Sequence, residues 1–217
     1  MNSRRWALIL VCAVLAAAGA RAQNLLVNPN FDADTSGWNT FQGMIFDETR
    51  DQAGDPPGSG QHSSQGTFCS HTTQCVNVTP GATYSLTGFL LFPSGQGFNT
   101  GPGTAAIFMG FYDAVCGSNS LFLVGAPPIT NLPNSSPAET WLPQSQSFVA
   151  PFNALSASIV LEICQQQAQT DVTANFDTLV FEETAAAAIP TLGQTGACLL
   201  AGLLAAAGIL AVRSRSH

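Results

Sequence analysis

The chain contains no lysine, and of its six arginines only Arg50 falls between residues 22 and 212. All thirteen acidic residues lie in that interval, from Asp32 to Glu183. So acidic a body repels phosphate backbones, which speaks against a nucleic-acid partner and favours divalent cations. Histidine is scarce too, with only His62 and His71 in the body. No nucleophile elbow accompanies them, and glycoside hydrolysis needs two carboxylates across a cleft. Asp47, Glu48, Asp51 and Asp55 cluster instead in one stretch, the pattern of a solvated charge run. No cysteine pair has the CxxC spacing of an oxidoreductase, and no histidine accompanies the cysteines at zinc-finger spacing. The expectation is a protein without enzymatic activity. Helical periodicity is nearly absent from the body.

The two ends are richer in signal. Arg4 and Arg5 precede an apolar stretch from Trp6 to Gly19, and Ala20-Arg21-Ala22 supplies a small-x-small cleavage pattern. Residues 1–22 therefore read as a secretory signal peptide. Ala197 to Val212 is an uninterrupted apolar run followed by Arg213 and Arg215. At 1.5 Å per residue it spans roughly 24 Å, short of a hydrocarbon core of about 30 Å unless the uncharged residues from Gly193 to Gly196 extend it. The reading is a transmembrane helix over 197–212 and a cytoplasmic basic tail over 213–217, with the body outside. Pro190 cannot enter that helix and pushes Ile189 toward an extended conformation, so 185–196 reads as a linker.

Export agrees with the cysteines. Cys12 lies in the leader and Cys198 in the apolar run, which leaves Cys69, Cys75, Cys116 and Cys164 for two disulfides. Three connectivities are possible. The favoured one joins Cys69 to Cys75 as a short staple and Cys116 to Cys164 as a long tie, for roughly 2 and 4 kcal/mol of chain entropy.

Between 23 and 184 short strand patterns repeat. "NLLVN" from Asn24, "WNTFQGMIF" from Trp38, "QCVNV" from Gln74 and "TYSLTGFLLF" from Thr83 come first, and "AAIFMGFYD" from Ala105 and "SLFLVG" from Ser120 follow. "SQSFVA" from Ser145, "SASIVLEIC" from Ser156 and "ANFDTLVFE" from Ala174 complete the set. In "SASIVLEIC" one face carries Ala157, Ile159, Leu161 and Ile163. Thr79-Pro80-Gly81 is a turn in which Pro presets φ and Gly permits a positive one. The Gly-, Pro- and Ser-rich stretch from Asp51 to Gly66 reads as one long loop, and Pro93 to Gly103 as a second. About nine strands separated by turn signals predict an all-β fold, an antiparallel β-sandwich.

Two resemblances sharpen this. "IPTL" at Ile189, Pro190, Thr191 and Leu192, followed by a span and arginines, is similar to the IPTL-type C-terminal sorting domain of Gram-negative bacteria. That likeness implies recognition of the tetrapeptide by an exosortase-like membrane peptidase and transfer to the cell surface or its matrix. Family members usually continue Ser-Glu-Trp-Gly, whereas this chain has Gly193-Gln194-Thr195-Gly196. A GPI-anchor signal shares the small residues and apolar end, and the terminal arginines fit it poorly. "NLLVNPNFD", Gly37-Trp38, "CVNVTPGATYSLTGFL", "FVAPFNALSASIVL" and "ANFDTLVFE" resemble the galactose-binding-like jelly rolls, which include many carbohydrate-binding modules. This likeness implies a jelly-roll body and a structural Ca2+ held by Asp32 and Asp177, hard oxygen donors from distant segments.

Sugar binding needs aromatic platforms. Trp38 and Trp141 stand where such modules usually pack their core or edge, and Phe41, Phe98 and Tyr112 are the remaining platform candidates. The leading expectation is an exported surface or extracellular-matrix component without catalytic activity. The alternative is a module that binds a polysaccharide, and a secreted hydrolase is the third.

Overall fold

Alternating residues build strands because successive side chains point to opposite faces. In the computed structural model, which describes residues 23–184 apart from 41–42, 53–57, 66–68, 96, 120, 126–130 and 168–169, this rule gives ten strands. They are β1 (Ile45–Asp47), β2 (Ser59–Gln65), β3 (Cys69–Asn77), β4 (Thr83–Leu91) and β5 (Gly103–Tyr112). β6 (Phe122–Gly125), β7 (Leu132–Pro133), β8 (Leu142–Val149), β9 (Ser156–Gln165) and β10 (Asp171–Glu183) follow. The expected leader, the Ile189–Leu192 tetrapeptide, the apolar run and the basic tail lie outside the described residues. Among the described residues no helix is long and apolar enough to cross a membrane.

The strands pair antiparallel in two sheets. One has the order β1-β2-β10-β4-β8, and the other β3-β9-β5-β6 with β7 beside β5. Their facing sides make the core. Ala157, Ile159, Leu161 and Ile163 of β9 are fully buried there, as the alternation predicts, with Ile107 and Met109 of β5. Leu86 and Leu90 of β4 and Phe176, Leu179 and Phe181 of β10 meet them from the other sheet. Thr79–Ala82 is the expected turn: the Ala82 amide donates to the Thr79 carbonyl at 3.2 Å, and Gly81 has φ of 74°.

Three expectations need correction. "NLLVN" is not a ladder strand; it is tied to β10 by the Leu25 amide on the Phe181 carbonyl, 2.7 Å, and by the Asn24 side chain, which donates to the Leu179 carbonyl and accepts from the Phe181 amide. The stretch from Asp51 to Gly66 is not all loop, because Ser59–Gln65 is β2, lying between β1 and β10. Its smallness serves packing: a Cβ on Gly60 would stand 2.0 Å from the Met44 methyl and 3.0 Å from the Phe31 ring. Lastly, the disulfides are Cys69–Cys164 and Cys75–Cys116 rather than the favoured pairing. Cys69 and Cys75 both lie on β3, six positions apart on one outward face, which in an extended strand is about 20 Å and beyond any disulfide's reach. Cys164 is instead the direct cross-strand partner of Cys69.

Candidate functional site

β10 carries the feature that builds the site. The pairing with β4 shifts register between Asp177 and Val180, and Thr178 has φ of 50°. This bulge turns Leu179 inward while Asp177 stays on the outer face of the β2-β10-β4 sheet. The register then aligns Ile45, Gln61, Asn175 and Leu91 in one row of that face, with the Asp47–Ser59 and Asp177–Phe89 pairs following two positions on.

The loop leaving β1 folds over these rows. Asp47 starts it, its Oδ1 accepting the Thr49 amide at 2.9 Å and the Thr49 hydroxyl at 2.6 Å. Its Oδ2 accepts from Arg50 Nη1 and Gln61 Nε2 at 3.1 Å and from Asn175 Nδ2 at 2.9 Å. Burial pulls the Asp47 carboxyl upward, but the hydrogen bonds from Thr49, Asn175 and Arg50 together overcome it and hold it below the usual range. Arg50 reaches the other way to Glu139 in a two-pronged pair, Nε to Oε2 at 3.1 Å and Nη2 to Oε1 at 3.0 Å. The Ser94 amide and hydroxyl also donate to Glu139 Oε1, at 2.7 and 3.0 Å. The Arg50 hydrogen bond and then the Ser94 amide hold the Glu139 carboxyl down at about 2. The guanidinium also lies 5.6 Å from the Phe98 ring centre, a cation–π approach. Ile45, Phe46, Asp47, Arg50, Gln61 and Phe98 line an open hollow of about 370 Å3.

Chemically this is a fixed array of charged and amide groups around one aromatic ring. A general acid needs a carboxyl poised near the working pH. Asp47 and Glu139 are both held ionised against Arg50, so neither is poised to donate a proton. Asp47 already accepts five hydrogen bonds, and Glu139 Oε2, which among the described residues accepts only Arg50 Nε, is the freer acceptor for a hydroxyl group. Asp177 differs. It is fully buried, and burial pushes its carboxyl up to about 7 against the N–H donations of Gln52 at 2.8 Å and Thr178 at 2.6 Å, with Asp51 raising it further. Beneath the loop it has no access to a substrate. It pins the loop together with Thr178, whose hydroxyl donates to Gln52 Oε1, and Trp141, whose indole donates to the Asp51 carbonyl.

Of the residues singled out in the sequence, Asp47, Arg50, Asp51, Phe98, Trp141 and Asp177 converge on this face. Trp38 is buried, its indole on the Asn28 carbonyl at 3.1 Å, which is the packing role expected of it. Asp32 is exposed in the loop after Phe31. Among the described residues the one group of three metal-competent side chains is Cys69, Glu162 and Cys164, and its cysteines are the disulfide. Phe41 and Asp55 lie outside the described residues. Glu139, Ser94 and Asn175 carried no sequence signal. The signal available was Arg50: a lone cation in an acidic body has to find carboxylates.

No family model matches this sequence, and no curated protein does. Solved structures do. The chain superposes on a family 16 carbohydrate-binding module with a TM-score of 0.51 at 17% identity, covering 74% of this chain and all (100%) of that one. The CBM22-1 xylan-binding domain of Paenibacillus barcinonensis Xyn10C gives 0.52 at 13% identity, over 78% and 100% of the two chains. A second xylan-binding domain of family 22 gives 0.51 at 12%, over 78% and 99%. At such identities the likeness is one of architecture: the described body has the β-sandwich fold of carbohydrate-binding modules.

Proposed function

We propose that this domain binds a polysaccharide on the outer face of the β2-β10-β4 sheet, in the hollow around Arg50. One observation carries the reading: the body's single arginine is spent on fixing Asp47 and Glu139 beside an aromatic ring, Phe98, and the Gln61 amide, with the buried Asn175 bracing Asp47 from beneath. Ligand hollows that read sugars combine an apolar surface with a few convergent polar groups that fix orientation. Fixed donors and acceptors lose little entropy on binding. The resemblance in fold to xylan-binding domains supports the same class of ligand. The test is affinity electrophoresis of the protein through gels containing xylan, galactan or hydroxyethylcellulose. The expected result is retardation in at least one gel, lost in Arg50→Met. Retardation that persists at full strength in a folded Arg50→Met chain refutes the site.

The setting of this activity is the export route read from the sequence: a leader, an IPTL-type tetrapeptide and an apolar run that tethers the chain or is processed away, leaving the domain at the cell surface or in its matrix. Mass spectrometry of the mature protein tests this, since processing leaves a chain ending near Thr191 and tethering leaves His217 in place. Calcium belongs to the same proposal. Asp177, with the Asp51 carboxyl beside it, offers the hard oxygen donors that ion takes, and Asp32 is the second expected donor. A melting temperature raised by millimolar calcium in the native chain and unmoved in Asp177→Asn supports it. An unmoved native chain sinks it.

A further inference from the structure

The other sheet has its own unexplained surface. Gly110 and Tyr112 of β5 point outward, in register with Ser158 and Ser156 of β9 on one side and with Gly125 and Phe122 of β6 on the other. Gly110 and Gly125 are direct partners. A Cβ on Gly110 would come within 2.9 Å of Phe122 Cε2, and one on Gly125 within 3.1 Å of Phe122 Cζ. The Phe122 ring therefore lies down across a pair of facing glycines. Tyr112 meets its edge, with ring centres 5.6 Å apart at 69°. Phe122 is nonetheless 60% exposed. Two glycines in paired strands weaken a sheet, and a ring left this exposed adds little to the core. The arrangement gives up strand stability to hold an aromatic plane flat with its free face in water.

Beside that plane, sharing Tyr112, is a hollow of about 180 Å3. The Cys75–Cys116 disulfide and Val115 wall it, and Ser118, Ser156 and Ser158 rim it. Ser156 already donates to the Ala114 carbonyl, so Ser118 and Ser158 are the hydroxyls that face a ligand. No charged side chain lines this hollow, in contrast to the Arg50 face. A flat aromatic surface next to uncharged hydroxyls matches a neutral pyranose ring, which has an apolar C–H face and a hydroxyl edge.

We propose a second saccharide site here, built on Phe122, Tyr112, Ser118 and Ser158 and taking a neutral sugar unit. It stands independently of the Arg50 site. Because the two sites are on the outer faces of opposite sheets, one domain holds two glycan chains at once and cross-links them. The test uses the full chain in detergent with soluble neutral polysaccharides (xylan, galactan, hydroxyethylcellulose) and their hexameric oligosaccharides. Calorimetry on the native chain is expected to count two oligosaccharides per chain, and mixing with the polymer to raise turbidity. Phe122→Leu keeps apolar volume over the glycines and removes the ring. It is expected to count one, to abolish the turbidity and to weaken polymer binding about tenfold, while Arg50→Met also counts one by losing the other site. A native count of one that Phe122→Leu leaves in place overturns the proposal and spares the Arg50 site. A count of one that Phe122→Leu abolishes and Arg50→Met leaves in place overturns the Arg50 reading and the cross-linking, and keeps the Phe122 site. Sedimentation showing that Phe122→Leu merely converts a dimer to a monomer also overturns the proposal, because the plane is then a contact between copies.

Discussion

Asp177→Asn separates two buried groups whose titrations oppose each other. Burial raises Asp177 from 3.8 to about 7, so between those values the folded chain holds a proton that the unfolded chain releases. Stability from this group is present at low pH and is lost as pH rises through 7. It amounts to about 2 to 3 kcal/mol at pH 5 and nearly nothing at pH 8. His62 is fully buried on the inward face of β2, and burial lowers it from 6.5 to about 4. Here the unfolded chain holds the extra proton, so stability falls as pH drops below 6.5, by about 2 kcal/mol at pH 5. The two cancel, and the native chain should vary by less than about 1 kcal/mol between pH 5 and 8. Asn at 177 fixes the neutral form: its oxygen accepts the Gln52 amide and its NH2 donates to Asp51, while the Thr178 N–H donation to the other oxygen is lost, a cost that is the same at every pH. With that proton fixed, only the His62 slope remains, and the variant should gain about 2 kcal/mol from pH 5 to 8. Urea unfolding followed by tryptophan fluorescence in EDTA measures both curves. Parallel curves for the two chains refute the argument, because Asp177 then does not titrate in the window.

Other expectations follow from the same geometry. Glu139→Gln replaces the two-pronged partner of Arg50 by a neutral amide; polysaccharide retardation should fall about tenfold in affinity electrophoresis while the melting temperature moves little, as for a partly exposed pair. Cys75→Ser with Cys116→Ser opens a bridge of sequence separation 41, which chain entropy rates at up to about 4 kcal/mol; urea midpoints measure it, and non-reducing peptide mapping of the native chain should recover Cys69–Cys164 and Cys75–Cys116. Gly110→Ala pushes a methyl group against the exposed Phe122 ring, which can lift into water; urea unfolding should shift by less than about 1 kcal/mol, while oligosaccharide binding on the Phe122 plane weakens.

How far the sequence carried can be seen in single strands. β9 was fully legible because Ala157, Ile159, Leu161 and Ile163 recur at every second position, and all four are buried. β2 was not, because "SGQHSSQ" has no apolar alternation at all. It pairs by backbone, and its small residues leave room for Met44 and Phe31, a demand set by tertiary neighbours. The disulfides failed for a related reason: loop length says what a bridge is worth, while strand register decides which cysteines can touch. The Arg50 site was half legible. The lone cation and the carboxylates near it were visible, but Asp47, Glu48, Asp51 and Asp55 looked like solvated charge. Glu139 lies 89 positions from Arg50 and meets it only through the sandwich.

β10 is the final strand of the body, yet it sits between β2 and β4, and the opening residues Asn24 and Leu25 fasten onto it. The two parts of that sheet, β1-β2 and β4-β8, cannot be joined until β10 is available, since β2 takes its residues Asp171 to Phe176 and β4 those from Asn175 to Glu183. A ribosome delivering this polypeptide thus releases almost the whole domain before its middle can be filled, and such distant pairing is slow to form. Removing β10 would strand two half-sheets with bare edges.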